Sequence, residues 1–341
     1  MHESTTMTAP PIPRIVTIGG GHGQANLLAA LRKIRCDVTA VVSVADDGGC
    51  SGKLRSELGM PPPGDLRRCL STLAADRELA ERFELRLFEP GLEGRCAGNL
   101  VLSTAFLEFG SLQRAVDWAA ALLHCEGRVV PVAETPGVLV VYDLLDGRME
   151  GETHVAEAST APIAAMVHGP SATNPVALEA IGAADIVLLG PGSFFTSTIA
   201  TVTTGTVADA LVASRCPKVL ITNLTDEGFQ TTGFSDLDYA RILRDHLLIA
   251  SMGGTMDVSV LHHVDGPDQT STLADGTTAY GARVALPGSS SHDPELLAGA
   301  LCRRFGWQPR TASSQAPPSH DSRAASFEQY LLAATKHRPV R

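Results

Sequence analysis

Two adjacent carboxylates, Asp46 and Asp47, follow an apolar run and open an unusual stretch, SVADDGGCSGKLRSELGMPPPGDLRRC, at residues 43–69. A packed core has little use for paired acids, five glycines, three consecutive prolines and several basic side chains. A phosphate site uses all of them. At least one of the acids suits Mg²⁺, which takes few carboxylates and shares phosphate oxygens. Gly48, Gly49 and Gly52 let a loop close around a ligand, and Ser51 offers a hydroxyl. Lys53, Arg55, Arg67 and Arg68 are candidate phosphate donors. Asp65 is read either as the cap of a helix starting at Leu66 or as part of the ligand set.

Two further segments have related chemistry. GGGHGQ, at 19–24, supplies Gly20, Gly21 and Gly23 for a close backbone approach to a diphosphate at a helix N-terminus. His22 stands inside it. The spacing is not the dinucleotide fingerprint G-x-G-x-x-G, which argues against a dehydrogenase. GPGSFFTS, at 190–197, places Gly192, Ser193, Thr196 and Ser197 where a strand ends and a helix opens. Asn99 and Asn223 are polar groups beside apolar runs, either buried amides or ligand contacts. No G-x-S-x-G, H-E-x-x-H or C-x-x-C pattern is present.

The elements that must position these loops are legible from hydrophobic patterning. RIVTIG and the run from Val38 to Val44 read as buried parallel strands. Between them Leu27, Leu28, Leu31 and Ile34 fall on one helical face, completing a βαβ unit. DIVLLG and VLITN read as two more strands with polar C-terminal loops, and 65–125 as mainly helical. A β-hairpin turning at Asp146-Gly147 is expected within 128–156. TAYGARVALPGSSSHDPELLAGALCRRF reads as a last strand, a loop and a closing helix. The expected organisation is a mobile leader at 1–13, a single α/β domain at 14–308, and a disordered tail at 309–341. SFEQYLLAATKH within that tail suits a short helix, and the tail is expected to be dispensable for ligand binding.

Composition narrows the function. The 341 residues are 44% hydrophobic and carry a formal net charge of -10. That charge argues against a broad nucleic-acid surface. The seven scattered cysteines read as reduced thiols in the cytoplasm. The N-terminus lacks a secretory pattern, and no apolar stretch approaches the roughly 18 residues of a membrane span.

Taken in order, IGGGHG, TAVVSVADDGGCSGKLRSELGMPPPGDLRRCLSTLA, AGNLVL, NPVALEAIGAADIVLLGPGSFFTS and HDPELLAGAL resemble the CofD-like superfamily, in its YvcK-type branch of gluconeogenesis factors. The resemblance runs from about residue 14 to 305. It implies a Rossmann-like three-layer α/β fold with a mostly parallel sheet and a nucleotide site at its top. It further implies a UDP-sugar type of ligand, Mg²⁺, and a regulatory role in carbon metabolism, cell shape or cell-wall synthesis. The other branch is a Mg²⁺-dependent transferase that moves a phospholactyl-type group and releases a nucleoside monophosphate. Both functions stay open, as does a homodimer.

Residue by residue, the resemblance places Gly20, Gly21, His22, Gly23, Asp46, Asp47, Ser51, Arg55, Asp65, Arg67, Asn99, Gly192, Ser193, Thr196, Ser197 and Asn223 around the ligand. Asp46 and Asp47 take the metal, and the catalytic role if the chain is an enzyme. Phe234 stands where the family's aromatic lies near the sugar. Three departures mark this chain: Arg95-Cys96-Ala97 replaces a His-Pro segment, Cys50 replaces a serine, and EGFQTTGF replaces P-G-E-T-x-G-[YF].

Overall fold

The computed structural model describes residues 11–310, apart from 93, 144, 146, 157–161, 163 and 170–171; the side chains of 153, 156 and 229 are also outside the description. The leader up to residue 10, the tail from 311 and the hairpin residue Asp146 therefore lie outside the described residues.

Thirteen strands are present among the described residues: β1 Arg14–Gly19, β2 Asp37–Val42, β3 Arg86–Leu87, β4 Arg95–Cys96, β5 Arg128–Pro131, β6 Val138–Asp143, β7 Gly147–Glu150, β8 Ala164–His168, β9 Ile186–Leu189, β10 Lys218–Ile221, β11 Ser259–His263, β12 Gln269–Thr272 and β13 Thr278–Ala282. Eight of them form one sheet in the order β12-β13-β11-β10-β9-β1-β2-β5. All its neighbours are parallel except the edge pair β12-β13. The four strands expected from apolar runs lie side by side in its interior, as β10-β9-β1-β2. Ile15, Ile18, Val41 and Val187 are almost completely buried, as continuous apolar strands covered on both faces must be.

The hairpin expected near Asp146-Gly147 is formed by β6 and β7, while the rest of its segment joins another sheet. Arg128–Pro131 joins the main sheet beside β2. Strands β6 and β7 pair antiparallel, and β8 adds to them in a separate three-stranded sheet. Alternation within one segment cannot reveal which partner each strand takes.

Helix α1, Gly21–Leu31, crosses from β1 to β2. Its residues Leu27, Leu28 and Leu31, with Ile34 beyond, are fully buried. Truncating such a leucine to alanine costs about 2–5 kcal/mol. The helices α2 Gly49–Leu58, α3 Gly64–Leu73 and α4 Arg77–Glu84 follow β2. Here the sequence expectation needs correction. Gly49 and Gly52 are not part of a flexible loop but lie in α2. A Cβ at Gly52 would overlap the backbone of Asp47, so this glycine lets the helix start press against the acid pair.

From β1 the chain steps to β2 on one side, and later continues from β9 to β10 and β11 on the other. Right-handed crossovers in opposite directions put helices on opposite faces, giving three layers. They also create a switch point between β1 and β9. At such a point the loops leaving neighbouring strands diverge and a crevice opens.

Candidate functional site: an acidic cleft at the switch point

The loop leaving β1 and the loop leaving β9 meet over that crevice. A Cβ on Gly23 would overlap the backbone of Pro191 and Gly192, so only glycine lets the loops approach this closely. Asn223, just after β10, clamps the second loop. Its Oδ1 accepts from Gly192 N at 3.1 Å, and its Nδ2 donates to Gly192 O at 2.9 Å. Ser193 precedes a π-helical turn, Phe194–Ile199.

These loops floor a cleft of about 470 Å³. Gly21, His22, Gly23, Gly192, Ser193, Ser197 and Asn223 line it, together with Asp46 and Asp65. Asp65 does not cap α3: the cap position is Pro63, and no side chain bonds there. Asp65 lies in the first turn, accepts from the Gly21 backbone, and pairs with Arg68 at 3.0 Å. It thus ties the first glycine loop to α3. Asp46 accepts from Gly48 N at 2.8 Å and from the Ser51 side chain.

Other residues implicated by sequence are placed differently. Asp47 does not line the cleft; its carboxylate lies against Gly151. The two adjacent acids therefore do not share one site here. Arg55 donates to the backbone carbonyls of Ala45 and Gly137, the latter at 2.8 Å. Thr196 is buried, with Oγ1 2.9 Å from Glu152. Phe234 belongs to an aromatic cluster, 5.4 Å from Tyr239 and 6.4 Å from Phe195 between ring centres. Gly20 is buried behind the cleft, where a Cβ would overlap the Asp65 carboxylate.

Ser51, Arg67 and Asn99 line an adjoining chamber of about 190 Å³ that shares Asp46, Asp65 and Arg68 with the cleft. Arg67 is committed to Glu84 at 2.6 Å and to Cys96 Sγ at 2.9 Å. Asn99 donates to Cys50 Sγ at 3.3 Å, while its Oδ1 has no partner.

Two carboxylates of the cleft carried no signal in the sequence reading. Glu152 follows β7 and Glu227 follows β10, and both line the wall. Nothing in the local pattern of GRMEGET marks Glu152. Glu227 lies four residues after Asn223 in the segment that departs from the family pattern. Four acids, Asp46, Asp65, Glu152 and Glu227, thus face one guanidinium, Arg68.

The electrostatic consequence follows directly. Burial, then the neighbouring Asp46 charge, pushes Asp65 up to about 6 despite Arg68. Burial and the same acids push Glu152 up to about 8. Burial pushes Glu227 up to about 7 against the bonds from Ser193, Phe194 N and Asn223. Burial also lowers the pKa of His22, and Arg68 adds to the effect. Carboxyl groups raised in this way keep protons near neutrality, and a cation among them would favour their charged form.

The donors of this wall are oxygens, the set a hard divalent ion takes, and Mg²⁺ needs only one or two carboxylates when phosphate supplies the rest. Among the described residues, no group of three His, Cys, Asp or Glu side chains is arranged to hold a metal unaided. Asp46 and Asp65 fit the smaller requirement.

A wider groove, about 1160 Å³, runs along α1, α3, α4 and the C-terminal helix Pro294–Phe305. Size alone would favour it. Three of its four acids are nevertheless paired: Glu126 with Arg32 at 3.1 Å, Glu295 with Lys33 at 2.5 Å, and Glu84 with Arg67. No glycine loop reaches it.

Comparison with known proteins agrees with the geometry. Residues 15–283 match the sequence model of the family described as 2-phospho-L-lactate transferase CofD. A putative gluconeogenesis factor of Nostoc sp. is 34% identical over 86% of this chain and 69% of its own. One from Deinococcus radiodurans is 36% identical over 88% and 68%. Protein BH3568 from Bacillus halodurans, a solved structure, superposes with a TM-score of 0.76 at 27% identity, covering 85% of this chain and 99% of that one. A second structure of it is described as a member of the UPF0052 family. With the switch-point cleft, the glycine loops and these matches in agreement, the chain belongs to the CofD family, among relatives named gluconeogenesis factors.

Proposed function

We propose that the chain binds a nucleoside diphosphate of the UDP-sugar type together with Mg²⁺, and that occupancy of the cleft is the signal in a regulatory role in carbon metabolism or wall synthesis. One observation carries this reading: two glycine loops built for diphosphate meet a wall of four acids with a single arginine. A bare diphosphate would be repelled by that wall. A diphosphate carrying a divalent cation would be held by both surfaces.

Asp46 and Asp65 would hold the metal, whose chemistry is to neutralise the phosphate oxygens and polarise their bridge. The backbone at Gly21–Gly23 and Gly192, with the Ser193 and Ser197 hydroxyls, would bind the phosphates. Arg68 would add one positive charge beside Asp65. The relatives named gluconeogenesis factors support the metabolic role.

A thermal-shift screen of nucleoside diphosphates and their sugars, with and without Mg²⁺, tests the reading. A ligand at 100 times its dissociation constant stabilises by about 2.7 kcal/mol. The expected result is stabilisation that requires both components. No shift with any of them overturns it.

A second reading, a CofD-like transferase, is supported by the family match and by Glu152, which near pH 8 can still hold or release a proton. It is tested by release of a nucleoside monophosphate from a diphosphate donor in the presence of acceptor.

A further inference from the structure

The loop before the C-terminal helix carries SSSHDP, and its Ser290, Ser291 and His292 line the cleft. Asp293 caps the helix, accepting from Glu295 N and Leu296 N. That fixes the helix start and holds His292 in place. His292 is only 6% exposed, and its Nε2 has no hydrogen-bond partner. Such an atom is destabilising when buried and unsatisfied. A buried polar atom of this kind in a cleft wall points to a missing partner.

The chemistry of that partner is constrained. The backbone of Thr222 bonds to the His292 ring. Since Nε2 is the nitrogen without a partner, the bond belongs to Nδ1, which donates to the Thr222 carbonyl. Burial, with His263 nearby, pushes the imidazole down to about 4, so the ring is neutral at physiological pH. With the proton on Nδ1, Nε2 presents a lone pair. It can accept from an N–H or O–H, and it repels a phosphate oxygen.

Position separates this end from the metal end. His292 sits beside Thr222, which follows β10, whereas Asp46 follows β2. In the order β10-β9-β1-β2 those strands are three steps apart. At the usual inter-strand spacing that is about 14 Å. One diphosphate cannot contact both ends. Its phosphates would lie over the two glycine loops, between β1 and β9, leaving another part of the ligand to reach His292.

We propose that His292 is a specificity residue whose Nε2 accepts a hydrogen bond from an N–H or O–H donor on the non-phosphate part of the ligand, a nucleobase or a sugar. The inference rests on the nucleoside-diphosphate reading and adds the class of group recognised at the far end. It also assigns a role to the H-D-P motif: histidine reads the ligand and aspartate sets the helix that positions it.

The test is isothermal titration with inorganic pyrophosphate, UDP, N3-methyl-UDP and UDP-glucose, each with Mg²⁺. The proteins are wild type, His292→Phe and His292→Gln; glutamine restores an acceptor near the Nε2 position. Pyrophosphate should bind all three alike. If the donor is the base, His292→Phe weakens UDP by about tenfold, as expected for one hydrogen bond to a buried acceptor, and N3-methyl-UDP weakens to the same degree on wild type. If the donor is a sugar hydroxyl, UDP is unchanged and UDP-glucose loses its advantage over it. In both cases His292→Gln recovers most of the loss.

Wild-type protein that binds the nucleotides, with His292→Phe binding them equally well, overturns this inference alone. Wild-type protein that binds none of the four probes overturns the nucleotide reading as well. Should His292→Phe fail to fold, the wild-type comparisons decide. Equal affinity for UDP, N3-methyl-UDP and UDP-glucose then overturns the proposal.

Discussion

The cleft above β1 and β9 and the groove along α1 invite different expectations. The groove is the larger, about 1160 Å³ against about 470 Å³. Three of its four acids are paired within the protein, by Arg32–Glu126, Lys33–Glu295 and Arg67–Glu84. In the cleft, three carboxylates are pushed up to about 6, 7 and 8. A surface whose acids mostly have partners of their own has little need of a cation. One that keeps buried acids close together is destabilised until a cation arrives. Unbalanced charge and glycine-permitted backbone approach therefore identify the site better than volume does.

The largest effect is expected where the two loops touch. Gly23→Val would drive a branched side chain into the Gly192 backbone. Overpacking of this kind costs about 1–3 kcal/mol, and nucleotide binding should fall below detection. Ala29→Val, in the groove, should change neither melting nor nucleotide affinity. A loss of binding from the groove variant of equal size would erase the distinction between the regions.

Removing charge comes next. Asp46→Asn should weaken Mg²⁺-dependent binding by about 10–100-fold, the range for a charge-assisted contact. The ligand-free protein should melt no lower than wild type, because the substitution relieves repulsion with Asp65. Glu126→Gln should behave oppositely, leaving binding unchanged and slightly lowering stability by removing the partner of Arg32 and Arg310. Paired titrations and melting curves check both.

The pH dependence separates the regions further. Glutamate ionises near 4.5 in the unfolded chain, but Glu227 and Glu152 do so near 7 and 8 in the fold. Between those limits the folded state holds more protons, so these two groups make stability fall as pH rises, with the loss complete above about 8. The ligand-free melting temperature should therefore decline from about pH 5 to about pH 8 more steeply in wild type than in a Glu152→Gln, Glu227→Gln double variant. Saturating Mg²⁺ and nucleotide should flatten the wild-type slope. The smallest effect is reserved for Glu295→Gln, whose exposed pair with Lys33 is worth less than about 1 kcal/mol.

Much of this comparison was legible in the sequence. Apolar strands and glycine-rich ends fixed β1, β2, β9 and β10 and the face on which their loops meet. The residues that were missed lie where tertiary structure decides. Glu152 opens a short helix just after the β6–β7 hairpin, and no local pattern shows that this hairpin brings it to the cleft. Glu227 lies in a segment that drew attention for an acid it lacks relative to its family. Asp47 looked equivalent to Asp46, but the fold sets its carboxylate against Gly151. Arg55 and Arg67 have the charge a phosphate needs, yet the fold uses them on backbone carbonyls and on Glu84. Residue type and spacing show which groups are available; only packing shows which are already occupied.

The most direct measurement is isothermal titration of a UDP-sugar into wild type and Asp65→Asn, each with Mg²⁺ and again with a chelator. Wild type should bind with Mg²⁺ and lose at least about tenfold when the metal is removed, while Asp65→Asn should bind weakly in both conditions. Wild-type affinity that ignores the chelator, or Asp65→Asn that binds like wild type, would contradict a metal-bridged diphosphate in the acidic cleft.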